Sequence, residues 1–418
     1  MHHSTIFLSA GILLAQGLCC AQQLTTVQRE SLRARICENF FVPDPLPQLN
    51  PTTHRRFEPA PGVVAEAVTY ATQFGTRVPA ILYMPKPMPE TATGLIPGFI
   101  VVNGHGGDKY SWYSYYSGIL YARAGAAVLT YDQAGEGERN VGRKSGTRTH
   151  DRLKGDEVLA RRLAGLMITD VMQAVSYLCS RPEVDGQRIG AAGYSMGSFV
   201  LALTGAVEPR LLACVLVGGG NLDGVDGYWD NSKPMCQGLP YRSLRFLGDR
   251  GAVIYALHAS RGPALIYNGL EDSVVAMDKH GEAFFTDLRQ RAVQMCGGDD
   301  GIFETGFIAG ASHRPYFVTR PVALWLERHL DLPTWTTESL VAMPTTHIAE
   351  WAQKHDIYID KLYASEQREG GTDALGNDVP GYQREDLSVF TPERWRYHRQ
   401  SLIFETWADA ARSAVQRP

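Results

Sequence analysis

Apolar residues in this chain gather in short continuous runs instead of alternating with polar ones. Gly98–Val102, Ala126–Tyr131, Arg188–Ala192, Ala213–Val217, Pro263–Tyr267 and Phe303–Ala309 each read as a strand covered on both faces, as in a parallel sheet. Between them the spacing changes. Ile168, Val171, Val175 and Leu178 recur at helical intervals, as do Val322, Trp325 and Leu326 behind Pro321, a residue suited to the first turn of a helix. Strands alternating with helices predict an α/β fold, a mostly parallel central sheet with helices on both faces. Two earlier runs, Val63–Tyr70 and Arg77–Tyr83, are expected to pair antiparallel ahead of it.

The pattern also divides the chain. Residues 1–21 hold a short apolar run, Ile6–Ala15, followed by Cys19, Cys20 and Ala21. The run is too short to span a bilayer, and small residues close it, so it reads as a signal peptide cut before Gln22. Residues 22–62, rich in proline, are expected to form a leading helix and a wrapping segment. Residues 63–331 carry the α/β domain. Within it, 221–262 is longer than a simple connection and reads either as a cap over the sheet rim or as a packed excursion. Residues 332–418 form a C-terminal extension with helix-like pieces at Thr346–Lys354 and Pro392–Val415, expected to pack on the core or to form an oligomer contact.

Composition narrows the class. The chain has 418 residues, 44% hydrophobic and 20% charged, with a formal net charge of −4. Such a chain buries a large core. Charges of both signs are scattered, which argues against a nucleic-acid partner, and no integral membrane anchor is expected. Outside the first segment the cysteines are Cys37, Cys179, Cys214, Cys236 and Cys296. They are too sparse for a disulfide framework, though one bridge would be allowed after export. His150, His258, His280, His347 and His355 show no metal-ligand spacing, and no metal or other cofactor is expected. Oligomeric state is not readable.

The chemistry centres on Gly193-Tyr194-Ser195-Met196-Gly197, set between a strand and a helical run. Gly-x-Ser-x-Gly in that setting is a nucleophile elbow, whose tightness lifts the serine hydroxyl above the sheet. Serine needs a base, and the base needs an orienting acid. Asp272 follows the run ending at Tyr267, with Glu271 its neighbour and competitor. His313 follows the run ending at Ala309. Serine, acid and histidine therefore come in the order expected of this elbow. Upstream, Gly98–Val102 opens into Asn103-Gly104-His105-Gly106-Gly107-Asp108, a loop able to aim backbone N–H groups at an oxyanion. The aromatic run Tyr110–Tyr116 behind it reads equally as a sugar-stacking surface or as the buried face of a helix.

These residues resemble the α/β-hydrolase superfamily, and within it the bacterial dienelactone-hydrolase-like and acetyl-xylan-esterase-like branch. The resemblance rests on Gly104-His105-Gly106-Gly107-Asp108-Lys109, the turn Asp132–Gly137, Ser180–Asp185 ahead of Arg188-Ile189-Gly190, and the elbow. It covers about residues 63–331. It implies catalytic Ser195, Asp272 and His313, with an oxyanion hole from the N–H groups of Met196 and His105. That branch commonly has His-Gly where this chain has Asn103-Gly104, which leaves Gly106 next in line as donor. A serine where dienelactone hydrolases use cysteine implies ordinary esters. The expected function is a secreted or periplasmic serine esterase of short acyl esters, with acetylated carbohydrate one such substrate and with metal-independent chemistry. Two alternatives stand beside it. One is a serine peptidase lacking the propeller of the prolyl-oligopeptidase type, since too few residues precede the first strand to build one. The other is a non-catalytic binding protein on a hydrolase fold.

Overall fold

The apolar runs lie side by side in one nine-stranded sheet, seen in a computed structural model that describes residues 23–259, 262–297, 301–342, 371–372, 374–375 and 378–415. The proposed signal segment, the helix-like piece at 346–354, His347 and His355 lie outside these residues. The strands are β1 Thr52–Ala60, β2 Val63–Ala71, β3 Arg77–Pro85, β4 Ile96–Val102, β5 Ala127–Tyr131, β6 Val184–Tyr194, β7 Leu211–Val217, β8 Ala264–Gly269 and β9 Phe303–Ile308. Their order across the sheet is β1-β2-β3-β5-β4-β6-β7-β8-β9. The first three run antiparallel, β3 meets β5 antiparallel, and every pair from β5 onward is parallel.

Strand β1 is absent from the sequence reading. Its residues TTHRRFEPA are largely polar, and Thr52, Thr53, Arg56 and Glu58 are exposed at the sheet edge. An edge strand with a wet face needs no apolar run, so nothing marked it. The leading helix is present as α1, Thr26–Asn39, started by a capping box in which Thr25 and Gln28 satisfy each other's backbone N–H.

Helices cover both faces, and each face has its own core. On one side pack α1, α3 (Glu157–Cys179), α4 (Met196–Val207), the short α5 (Leu239–Ser243), α6 (Arg250–Ala259) and α7 (Met277–Cys296). On the other lie α2 (Trp112–Arg123) and α8 (Arg320–Leu330). After the short α9 (Thr337–Ala342), residues 371–415 end in α10 (Pro392–Leu402) and α11 (Phe404–Val415). This segment feeds both cores: Leu387, Phe390 and Trp395 on one face, Phe404 and Trp407 on the other. Trp407 is fully buried and donates its indole N–H to Gln73 at 3.2 Å.

The strand order reverses direction beside β4. From β4 the chain crosses through α2 to β5 on one side, then returns through α3 to β6 on the other. A crevice opens outside the carboxyl ends of strands at such a point, and ligands bind there in α/β sheets. Val102 pairs with Gly193 in register, so the loop after β4 and the turn after β6 open side by side.

Among the described residues no helix is long and apolar enough to cross a membrane.

Candidate active site

The elbow is built by steric exclusion. A Cβ on Gly193 would fall 2.3 Å from the Gly197 carbonyl oxygen, and one on Gly197 would fall 2.3 Å from that of Val102. Neither position admits a side chain. Ser195 between them sits at φ 54°, ψ −117°, a strained conformation for an L-residue. Three groups over-determine it. Its N–H donates to the Val217 carbonyl at 2.8 Å, and its carbonyl accepts from the Ser198 N–H at 2.9 Å and the Ser198 hydroxyl at 2.7 Å. Ser195 is the N-cap of α4 and Met196 its first residue, so the helix opens directly behind the serine.

Asp272 and His313 arrive on the loops after β8 and β9. His313 Nδ1 lies 2.6 Å from Asp272 Oδ2. The other carboxylate oxygen, Oδ1, accepts from the N–H groups of Val274 and Val275 at 3.0 and 3.3 Å. Asp272 is wholly buried, whereas Glu271 is exposed and points no hydrogen bond at the histidine among the described residues. An acceptor carboxylate places the proton on Nδ1, which leaves Nε2 of His313 able to accept one. The imidazole is held against the elbow by Tyr194: the rings lie 4.9 Å apart, and the Tyr194 hydroxyl donates to the His313 carbonyl at 3.3 Å. Gly218, at φ 62°, passes so close that a Cβ there would lie 2.9 Å from His313 Cε1.

The loop after β4 is ordered by side chains. Asn103 Nδ2 donates to the Tyr131 carbonyl at 3.0 Å, and Ser114 donates to Asn103 Oδ1 at 2.5 Å. The Gly104 N–H goes to the Tyr113 hydroxyl at 3.0 Å, and the Gly107 N–H to the Gly104 carbonyl at 2.7 Å. Gly104 itself must stay small, because a Cβ would meet the Tyr194 ring at 2.6 Å. With those two N–H groups spent, His105 offers the next one along the loop. Its ring faces away to Asp151, with Nε2 to Oδ1 at 2.9 Å.

Behind this loop is a buried charge cluster that no pattern along the chain announces. Lys109 Nζ sits 2.5 Å from Asp132 Oδ2 and 2.9 Å from Glu138 Oε2, all three fully buried. The two carboxylates hold the Lys109 ammonium in its charged form, pushing its pKa up in spite of burial. The C-terminal segment closes over the cluster. Glu138 accepts from the N–H groups of Val389 and Phe390, both at 2.9 Å, and its carbonyl accepts from the Trp395 indole at 2.8 Å. The Tyr110 hydroxyl pairs with Ser388 Oγ at 3.0 Å, and the Tyr382 hydroxyl donates to the Tyr110 carbonyl. The segment at 378–415 is thus packed on the core, and through Tyr110 it braces the residues that follow the loop.

The aromatic readings resolve toward packing. Tyr110, Trp112, Tyr113, Tyr115 and Tyr116 are all buried, so the run is the inner face of α2. In the 221–262 excursion Trp229 stacks on Phe199 with centroids 4.8 Å apart, and Tyr241 is buried under Arg250. Arg250 and Asp230 form a buried pair at 2.6 Å. Most of the excursion is therefore packed core, with Tyr228 and Phe246 half-buried at its edge. The five described cysteines are free thiols.

Residues 48–217 match the family model for acetyl xylan esterase, and residues 155–296 match that for the prolyl oligopeptidase family. The structure of methylesterase BT1017 superposes on 94% of this chain and 76% of its own, with a TM-score of 0.60 and 17% identity. A glucuronoyl esterase from Solibacter usitatus covers 75% of this chain and 93% of its own, with a TM-score of 0.54 and 15% identity. The chain has the α/β-hydrolase fold. In sequence, the chain is 33% identical over 91 residues to YtaP of Bacillus subtilis (strain 168), a protein named as a hydrolase. The match takes in 22% of this chain and spans 29% of that relative's length.

Proposed function

We propose that this α/β-hydrolase is a serine carboxylic-ester hydrolase acting on short acyl esters, with acetylated carbohydrate as substrate class. The observation that carries the reading is the His313–Asp272 pair at 2.6 Å, set beside a strained serine that begins a helix. The acetyl xylan esterase match, which takes in the loop after β4 and the elbow, supports it.

In this reading Ser195 Oγ attacks the ester carbonyl carbon as His313 Nε2 takes its proton. Asp272 holds the ring in the required tautomer and stabilises the imidazolium. The oxyanion rests on the N–H groups of Met196 and His105. The tetrahedral intermediate collapses, the C–O bond to the alcohol breaks, and His313 returns the proton to the leaving alkoxide. Water then attacks the acyl-serine by the same route and releases the acid and free Ser195. The proposed site of action is outside the cytoplasm, on the strength of the apolar segment at 1–21.

A peptidase is the second reading, favoured by the prolyl oligopeptidase match over residues 155–296. A substrate panel decides between them: p-nitrophenyl acetate and longer acyl esters, acetylated xylan, a glucuronate methyl ester and peptide anilides. The ester reading expects fast turnover of acetyl esters, loss of that activity in Ser195→Ala, and labelling of Ser195 by a fluorophosphonate. Preferential cleavage of the anilides, or undiminished ester turnover in Ser195→Ala, overturns it.

A further inference from the structure

His150 holds a problem that hydrogen bonds alone do not solve. Its ring is fully buried, and in its neutral form it carries a single proton. Nδ1 faces the Ala134 carbonyl at 3.1 Å. Among the described residues, Nε2 is buried without a hydrogen-bond partner, and it faces Asp151 Oδ1 at 3.5 Å. One proton cannot serve both sides. On Nδ1 it leaves the Nε2 lone pair against a carboxylate oxygen, and on Nε2 it leaves the Nδ1 lone pair against a carbonyl. A cation between Nε2 and Asp151 removes the conflict. An imidazole that donates its other N–H to a backbone carbonyl is how a metal-binding histidine is usually oriented.

Two more donors meet at the same oxygen. His105 Nε2 lies 2.9 Å and Cys236 Sγ 3.4 Å from Asp151 Oδ1. The four donor atoms all lie within 4.8 Å of one another. Tetrahedral ligands of zinc stand roughly 3.3–3.8 Å apart, given its bond lengths, so shifts of about an ångström would close the shell. We propose that His105, His150, Asp151 and Cys236 form a structural zinc site that ties the loop after β4 to the excursion after β7.

The donor set selects the ion. Two imidazoles, one thiolate and one carboxylate suit zinc, whereas calcium and magnesium take oxygen ligands. Binding releases the Cys236 thiol proton to solvent. Thiolate and carboxylate then balance the two charges of the ion, and the buried site is neutral. Spacing along the chain did not reveal the set, because its members come from three separate segments: His105 after β4, His150 and Asp151 in the turn Thr149–Arg152, and Cys236 in the turn Pro234–Gly238. The chemistry proposed at Ser195 does not pass through this ion.

The test uses the full chain, purified without chelator or added metal. Elemental analysis should find about one zinc per chain, and stripping it should lower Tm, with added zinc restoring it. Cobalt(II) in its place should give a thiolate-to-cobalt charge-transfer band, absent in Cys236→Ser. If Cys236→Ser does not fold, His105→Gln serves, since that ring is partly exposed, and its cobalt affinity should fall at least tenfold. Ser195→Ala should keep its zinc while losing ester turnover, so failure of one reading is distinguishable from failure of the other. A chain that purifies without metal and whose Tm is unmoved by zinc overturns the proposal. So does bound cobalt with no charge-transfer band.

Discussion

Tyr194 precedes the serine in the chain and holds the histidine in space: its ring lies against that of His313, and its hydroxyl donates to the His313 carbonyl. The residue inside the elbow motif therefore sets the position of the proposed base. Tyr194→Phe keeps the ring contact and loses a neutral hydrogen bond worth about 1 kcal/mol, so kcat for p-nitrophenyl acetate should fall about fivefold. Tyr194→Ala loses both and should fall at least tenfold further, with less change in KM. Equal kinetics for the wild type and Tyr194→Ala would show that His313 is positioned without it.

Asp272→Asn should lower turnover by up to ~10⁴-fold, as an amide would favour the wrong imidazole tautomer. Glu271→Gln, at the exposed neighbour, should leave it within about twofold. The comparison is a kcat measurement on two folded variants, and a reversed result moves the acid to Glu271.

Strain at Ser195 should be visible in stability. A residue held at φ 54° stores roughly 1–3 kcal/mol, which glycine would not store. Ser195→Gly should therefore melt above Ser195→Ala, by about 1 kcal/mol after glycine's entropic cost is counted. Urea titration of both inactive variants checks it. A less stable glycine variant would mean that the elbow is not strained.

Acid should weaken the fold through His258. Its ring is buried, and burial with Arg33 nearby holds its pKa at about 4, against 6.5 when free. Between those values the unfolded chain binds a proton that the native chain refuses. Stability is therefore lost as the pH falls through that window, by up to about 3 kcal/mol for this group. His258→Gln should reduce the slope of unfolding free energy against pH by about one proton, and denaturant titrations from pH 7 to pH 4 measure it. An unchanged slope would assign the acid sensitivity elsewhere.

Much of this could be read from the chain because burial leaves a plain signature. The runs for β4 to β9 fall within a few residues of the strands observed, but β9, expected to be covered on both faces, lies at the sheet edge and leaves Glu304 and Thr305 exposed. The elbow, Asp272 and His313 were legible because each follows such a run. Strand β1 was not, since its edge position lets polar residues alternate freely with the few that pack. The run Tyr110–Tyr116 was ambiguous because a sugar platform and a buried helix face ask for the same residues, and only Trp112 and Tyr113 beneath the loop settle it as packing. The cluster around Asp151 was invisible for a different reason. His105 and Cys236 become neighbours only when the sheet and the excursion are both in place, and no local pattern encodes that meeting.

The bond between Tyr110 and Ser388 spans 278 residues. Contacts that close so long a loop carry an entropic debt and form late and slowly, after the local helices and the parallel pairs they depend on. The strands and the elbow could thus assemble in a chain whose loop after β4 still lacked its brace. Competence at Ser195 would then lag behind the acquisition of secondary structure, and a refolding chain would regain its circular dichroism before its turnover.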